Sequence, residues 1–320
     1  MRQPDHERDP EGVSGTALAP DLRARFEQLE RVLGGLEAPS GETLDPGEDA
    51  VPGSLAVVAY PLVPGGGQSD VTVAYRPHER FPSASTIKVY VLQALLEKVA
   101  AGDADLDDEL PVAAEDMVSG SGVLKTLMPN RYRLRDLATL MIVVSDNTAT
   151  NVLMEFLGVD VINASVLAHG WTGTHSAGKL QVAQTVGEGK RVASSTTAAD
   201  LADYFARLWR GELLPPLLTE EARAIYRKQQ YGELGRSIDY DSYLASIGEA
   251  PWRIASKSGS ITGVRNDAGV FEPLATARAG AAPFVVSIMT KGCVDGRFHS
   301  ENLGAKVVGW AAAAVFERLS

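Results

Sequence analysis

Ser85-Thr86-Ile87-Lys88 opens an apolar stretch with helical periodicity, and its first and last residues are a pair with chemical potential. A spacing of three on a helix sets the serine hydroxyl and the lysine amine on one face. A serine hydroxyl is a weak nucleophile until a base takes its proton. Lysine serves as that base when desolvation or a neighbouring cation lowers its pKa. The helix N-terminus adds free N–H groups and partial positive charge. The same spacing recurs at Ser176–Lys179, in a Gly-rich stretch without helical pattern, so the pair alone also fits a capping serine beside a solvated lysine. The first copy differs in its apolar continuation: Val89-Tyr90-Val91-Leu92 draws that helix, and Lys88 with it, toward a core.

Two further segments hold polar groups at element ends. Ser145-Asp146-Asn147 lies between the apolar run Leu137–Val144 and Thr148-Ala149-Thr150-Asn151. It reads either as a capping sequence or as a site in which Ser145 relays a proton and Asn147 offers its amide to a substrate carbonyl. In the capping reading Ser145 or Asp146 is the N-cap; in the other, Asp146 holds the turn by accepting backbone N–H bonds. Lys257-Ser258-Gly259 ends a strand that begins at Trp252. It is either a strand running into a Gly turn or an edge that presents a backbone N–H to a substrate, with glycine permitting close approach.

Periodicity supplies the scaffold around these segments. Asp21 to Glu37 is an amphipathic helix, with Leu22, Phe26, Leu29, Leu33 and Leu36 on one stripe and Asp21 as its N-cap. Leu55–Tyr60 and Val71–Tyr75, separated by Gly65-Gly66-Gly67, read as a hairpin. Helical patterning dominates from Ser85 to Ala245, as in Thr86–Ala101, Leu134–Leu157 and Thr197–Arg210. Strands return at Trp252–Ser256, Asp267–Phe271 and Phe284–Thr290, and a helix, Leu303–Leu319, closes the chain. The expectation is an α+β fold: one antiparallel sheet flanked by the N- and C-terminal helices, plus an all-helical lobe, with a cleft between them. In residues, 1–50 form a tail, helix and linker, 51–80 with 250–320 the sheet lobe, and 81–249 the helical lobe.

Composition narrows the chemistry. The 320 residues are 45% hydrophobic and 22% charged, enough to bury a real core. Lys and Arg number 30 against 41 Asp and Glu, a net charge of −11 that gives no electrostatic reason to bind nucleic acid or an anionic membrane. No apolar run reaches the ~18–20 residues of a membrane span. The lone Cys293 excludes an internal disulfide framework and reads as a core residue at a strand end, and His6, His78, His169, His175 and His299 are too scattered for a zinc site. No metal or cofactor is called for. Met1 to Gly12 has no apolar h-region, so the chain as written is expected in the cytoplasm, or in the periplasm or medium if its true start lies upstream.

In this order and at these distances, the three segments match the S-x-x-K, S-D-N and K-T-G set of class A β-lactamases and penicillin-binding proteins. From about Gly53 onward the sequence resembles the class A β-lactamase-like serine hydrolases, including SDNTATN at Ser145–Asn151 and KSGSITGVRND at Lys257–Asp267. Ser258 stands where the family often has threonine and keeps the hydroxyl. The resemblance implies a β-lactamase/transpeptidase-like fold and a Ser85 acyl-enzyme formed from an amide or ester, with a β-lactam plausible. It implies Lys88 as base, alone or in a relay with Ser145, and the N–H groups of Ser85 and Ser260 as the oxyanion hole. Asn147, Lys257, Ser258, Gly259 and Arg265 would bind a small molecule bearing a carbonyl and a carboxylate.

Two departures bear on turnover. The Glu-x-x-Leu-Asn stretch with which class A enzymes position the deacylating water is absent. By distance from Asn147 its place falls near Gln181, and Glu188, between two glycines, is the only acid in Thr172–Ser195. The loop Ser119–Leu124 lacks the aromatic that often flanks substrate. The alternatives are an esterase or D-Ala-D-Ala-type peptidase with weak β-lactam turnover, and a binding or sensor module that is acylated without turnover.

Overall fold

Leu55 to Tyr60 is apolar at every position because the strand it forms is covered on both faces. Leu55, Val57 and Ala59 pack into one hydrophobic cluster, while Ala56, Val58 and Tyr60 alternate into another. The computed structural model describes residues 18–42, 53–62, 73–180, 185–186, 190–191 and 193–320. In chain order the first elements are α1 (Pro20–Leu33), β1 (Ser54–Pro61), β2 (Val73–Tyr75), β3 (Phe81–Pro82), α2 (Lys88–Ala100), β4 (Glu109–Val112), β5 (Asn130–Arg133), α3 (Leu134–Val143), α4 (Asn147–Leu157) and α5 (Val159–Ala168). Then come β6 (Thr185–Val186), β7 (Lys190–Arg191), β8 (Ser195–Thr196), α6 (Ala198–Arg210), α7 (Pro216–Tyr226), α8 (Ser242–Ile247), β9 (Trp252–Ile261), β10 (Val264–Pro273), β11 (Phe284–Lys291) and α9 (Leu303–Leu319).

The main sheet is antiparallel, in the order β2-β1-β11-β10-β9. On one face α1 and α9 cover Leu55, Val57, Phe284, Val286 and Ile288. On the other, the helical half of the chain packs on Ala56, Val58, Ala255, Ala268, Val270, Val285 and Met289. This is the expected fold: antiparallel sheet, flanking terminal helices and a body of helices. The helical body also carries two-stranded ladders, β3 with β8 and β4 with β5, too short to show as alternation in the sequence.

Local differences have physical causes. The first helix begins at Pro20 with Ala19 in the cap position, so Asp21 lies inside the first turn and is not the N-cap. Proline, with φ already fixed and no N–H to orphan, suits the first helical position. The expected helix Thr86–Ala101 is α2 preceded by a 3-10 turn, Ala84–Ile87. Leu134–Leu157 divides at Val144–Asp146 into α3 and α4. The pairing of Leu55–Tyr60 with the following strand holds from Val57↔Tyr75 to Ala59↔Val73, while the Gly65–Gly67 turn lies outside the described residues. Among the described residues no single helix is long and apolar enough to cross a membrane.

Candidate active site

Ser85 sits in the 3-10 turn and Lys88 at the first position of α2. In a 3-10 turn the side chains at i and i+3 eclipse, which aligns the two groups more closely than an α-helix would. Lys88 is wholly buried. Its Nζ lies 2.7 Å from Ser145 O, 3.0 Å from Ser145 Oγ and 3.0 Å from Asn147 Oδ1; Ser85 Oγ is not among its hydrogen-bond partners. Burial drives the Lys88 pKa well below that of a free lysine, and the charge of Lys257 pushes it further down, against a smaller opposing pull from Asp146. An uncharged amine has two N–H donors and one lone pair. In that state, with the Ser145 carbonyl and the Asn147 oxygen as acceptors, the lone pair would be left for the Ser145 hydroxyl.

Lys257 comes from the sheet, on β9, and is equally buried. Its Nζ donates to Ser145 Oγ at 3.2 Å and to Ser258 O at 2.6 Å. Burial lowers its pKa to about 7, partly offset by Asp267. Asp267, directly across the ladder from Ser258, is itself pushed up to about 7 by burial.

The Ser145–Asn147 junction is shaped to receive these amines. Ser145 has φ +54°, a left-handed conformation unfavourable for a residue with a Cβ, and it turns both its carbonyl and its hydroxyl toward Lys88. Asp146 caps α4 by accepting from Ala149 N and also accepts from Val123 N and Leu124 N. It thereby performs the structural role the sequence assigns to it and ties the Ser119–Leu124 loop to the junction. Asn147 N donates to Ser121 O, and Asn147 Nδ2 donates to Ser119 O at 3.1 Å. The Asn147 amide, expected on a substrate carbonyl, is thus engaged with the loop.

Gly259 brings β9 against the turn that carries Ser85. A Cβ at Gly259 would lie 2.8 Å from the backbone N of both Ser85 and Thr86, and 2.9 Å from Ser83 O. Only glycine permits that approach. β9 is the outer strand of the sheet, so one of its edges is unpaired within it, and Ser260 is exposed. The structure therefore gathers Ser85, Lys88, Ser145, Asn147, Lys257, the Ser258 carbonyl and Gly259, with Ser260 next along the strand.

Arg265 is not drawn into this cluster. Gly259 pairs with Asn266, and Asn266 Nδ2 donates to Pro82 O and Ser83 O, so Arg265 alternates onto the other face of the sheet. Its guanidinium donates to Ile261 O, Val264 O and Arg297 O, and lies 4.8 Å from the centroid of the Phe298 ring. Asn266 and Asn151 are the site neighbours that sequence reasoning passed over. Both sit inside the motif segments SDNTATN and KSGSITGVRND, and only strand and helix phasing against the motif residues would have singled them out. One helical turn beyond Asn147, Asn151 grips the backbone of Leu180, accepting from its N–H at 2.7 Å and donating to its carbonyl at 2.9 Å. Gln181 and Glu188 lie outside the described residues.

Comparison with known proteins agrees with this geometry. A family model described as "Beta-lactamase enzyme family" matches residues 50–319. A β-lactamase of Rhodobacter capsulatus is 27% identical over 243 residues, covering 76% of this chain and 78% of its own. The crystal structure of a β-lactamase from Sphaerobacter thermophilus DSM 20745 superposes with a TM-score of 0.72 at 26% identity, covering 92% of this chain and 97% of that one. An ancestral class A β-lactamase (GNCA) shares the fold, with a TM-score of 0.71 at 24% identity, covering 93% and 99% of the two chains. With its sheet, its helical body and the residues gathered between them, the chain belongs to the beta-lactamase enzyme family and is a hydrolase of the class A-like β-lactamase/transpeptidase fold.

Proposed function

We propose that the chain hydrolyses a small-molecule amide or ester, a β-lactam being the foremost candidate, through an acyl-enzyme on Ser85. One observation carries the reading: two buried lysine amines converge on the Ser145 hydroxyl beside the turn that bears Ser85. In this reading the Ser85 hydroxyl proton passes to the Lys88 lone pair, directly or through Ser145, as Ser85 Oγ bonds to the substrate carbonyl carbon. The negative charge that develops on the carbonyl oxygen falls to the N–H groups of Ser85 and Ser260. One such donor is worth roughly 10²–10³ in rate in other hydrolases. When the C–N or C–O bond breaks, the proton returns to the leaving group through Ser145. Lys257 in its ammonium form draws the substrate carboxylate, and its charge keeps Lys88 unprotonated.

Release of the acyl group is where this chain departs from the class A pattern. The residue that Asn151 holds one turn beyond Asn147 is Leu180, an apolar side chain with no proton to give or take. This favours a long-lived acyl-enzyme, so the slow hydrolase or acylated sensor stands as the second reading.

Intact mass spectrometry with a penicillin or a chromogenic cephalosporin tests both. A Ser85 adduct that forms and clears with turnover supports a β-lactamase; an adduct that persists supports the slow form. No adduct, but ester cleavage lost in Ser85→Ala, supports an esterase; an adduct or ester cleavage unaffected by Ser85→Ala would overturn the assignment of Ser85.

A further inference from the structure

Asn266 is almost wholly buried on the face of β10 that meets the turn carrying Ser85. Its Nδ2 donates to Pro82 O at 2.9 Å and to Ser83 O at 3.2 Å. Its Oδ1 accepts from Thr290 N at 3.0 Å, on β11. The orientation of the amide is fixed by its partners, because Thr290 N offers only a proton and the two carbonyls offer only lone pairs. The regular β10–β11 pairing ends at Asn266↔Met289. At the next rung side chains take over: Thr290 Oγ1 accepts from Arg265 N and donates to Arg265 O, while Thr290 N turns to Asn266. Asn266 thus joins the sheet to a carbonyl that belongs to the entry of the 3-10 turn, the same Ser83 O that receives Thr86 N and Thr86 Oγ1.

Gly259 and Asn266 act on this turn in opposite senses. They are paired across the ladder and both meet Ser83 O. The backbone at Gly259 is a wall that stops the turn from moving closer to β9. The Asn266 amide is a tether that stops it from moving away. We propose that Asn266 is a positioning residue, whose tether on Pro82 and Ser83 holds the Ser85 N–H at the separation from the Ser260 N–H that one oxyanion requires. The inference rests on the reading of Ser85 as the acylated residue. Hydrogen-bond stabilisation of an oxyanion falls steeply with distance and angle. A displacement of about 1 Å costs on the order of 10²-fold in rate.

The test uses the full-length protein and three variants. Asn266→Asp keeps the shape and the acceptor for Thr290 N but sets a carboxylate oxygen against two carbonyls; Asn266→Ala removes the tether outright. Thr290→Val deletes the hydroxyl that bonds Arg265 at the same rung and leaves the Thr290 N–H in place, so it is a control for loosening there. Acylation of Ser85 by a chromogenic cephalosporin is followed by stopped flow and intact mass, and affinity for a phenylboronic acid reports the tetrahedral oxyanion geometry. The expected result is a 10- to 100-fold slower acylation in both Asn266 variants, a parallel loss of boronate affinity, and non-covalent cephalosporin affinity within about two-fold of wild type. Thr290→Val should acylate within about three-fold of wild type even where it melts at a lower temperature. Equal slowing by Thr290→Val and Asn266→Asp, or Asn266 variants that acylate at the wild-type rate, would overturn the inference alone. A wild type that takes no label on Ser85 and whose ester cleavage survives Ser85→Ala overturns the underlying reading as well.

Discussion

Lys88 and Lys257 reach the same atom, one from α2 and one from β9: Ser145 Oγ lies 3.0 Å from one Nζ and 3.2 Å from the other. Two ammonium ions around one hydroxyl in a dry site would repel strongly. Burial lowers both pKa values, that of Lys257 to about 7, and the charge of Lys257 pushes Lys88 further down. The Ser145 hydroxyl oxygen is within hydrogen-bond reach of both amines.

Lys88→Met should slow acylation by orders of magnitude while sparing the fold. General-base catalysis contributes about 10²–10⁴ in rate, so a loss within that range is expected by intact mass. Stability carries a second signature. Because the folded pKa of Lys88 is depressed, the unfolded chain binds the proton more tightly, and wild-type stability rises with pH up to the unfolded value of about 10.4. Lys88→Met lacks that rise. Urea melts should therefore show the variant losing ground to wild type between pH 7 and pH 10; a constant difference would mean that Lys88 is charged in the folded protein.

Lys257 sets the alkaline limb. Its charge is present below about pH 7 and lost above, so kcat/KM for a carboxylate-bearing substrate should decline as pH rises through 7 in the free enzyme. A neutral ester without a carboxylate should show a shallower decline. Lys257→Arg, charged at all accessible pH, should move the limb upward by several units. An alkaline limb that stays near 7 in Lys257→Arg assigns it to another group.

Gly259→Ala places a methyl 2.8 Å from the Ser85 and Thr86 nitrogens. Backbone cannot yield as a flexible side chain would, so the strand and the turn must part. Overpacking of this kind costs about 1–3 kcal/mol. The expected result is a lowered melting temperature together with acylation slowed by at least about ten-fold, the scale of a sub-ångström misplacement. Unchanged acylation at reduced stability would separate the close approach from the chemistry.

Leu180→Glu tests the release step. Asn151 holds the Leu180 backbone from both sides, so a carboxylate introduced there starts from a fixed main chain one turn along α4 from Asn147. It should shorten the lifetime of the Ser85 adduct by about ten-fold or more, within the general-base range, and leave the rate of acylation nearly unchanged. Pulse-chase intact mass after removal of free penicillin reads this directly.

The three polar segments were legible because each carries its chemistry in consecutive residues, and the α+β order followed from where the period changes. Arg265 was misleading for a geometric reason. The strand string around it names the right residues, but their faces depend on the two-residue turn Thr262-Gly263, which pairs Gly259 with Asn266 and sends Arg265 to the α9 side. Asn266 stayed hidden because an asparagine in a strand reads as a turn former, and its partners lie 184 and 183 positions away. Asp21 looked like a cap because propensity favours aspartate there, whereas Ala19, two residues earlier, is the cap and Pro20 the first residue of α1. Asn147 was readable as part of the polar cluster, but its engagement with Ser119 needed the fold of the glycine-containing loop.

The contacts that define the cleft span long stretches of chain: 57 positions from Lys88 to Ser145, and 112 from Ser145 to Lys257. Closing such loops is the slow, entropically expensive part of folding. Until both are closed, Lys88 is an ordinary solvated amine with an ordinary affinity for protons. The reactivity of the site is therefore a late product of refolding: native helical signal should return before chemical competence does.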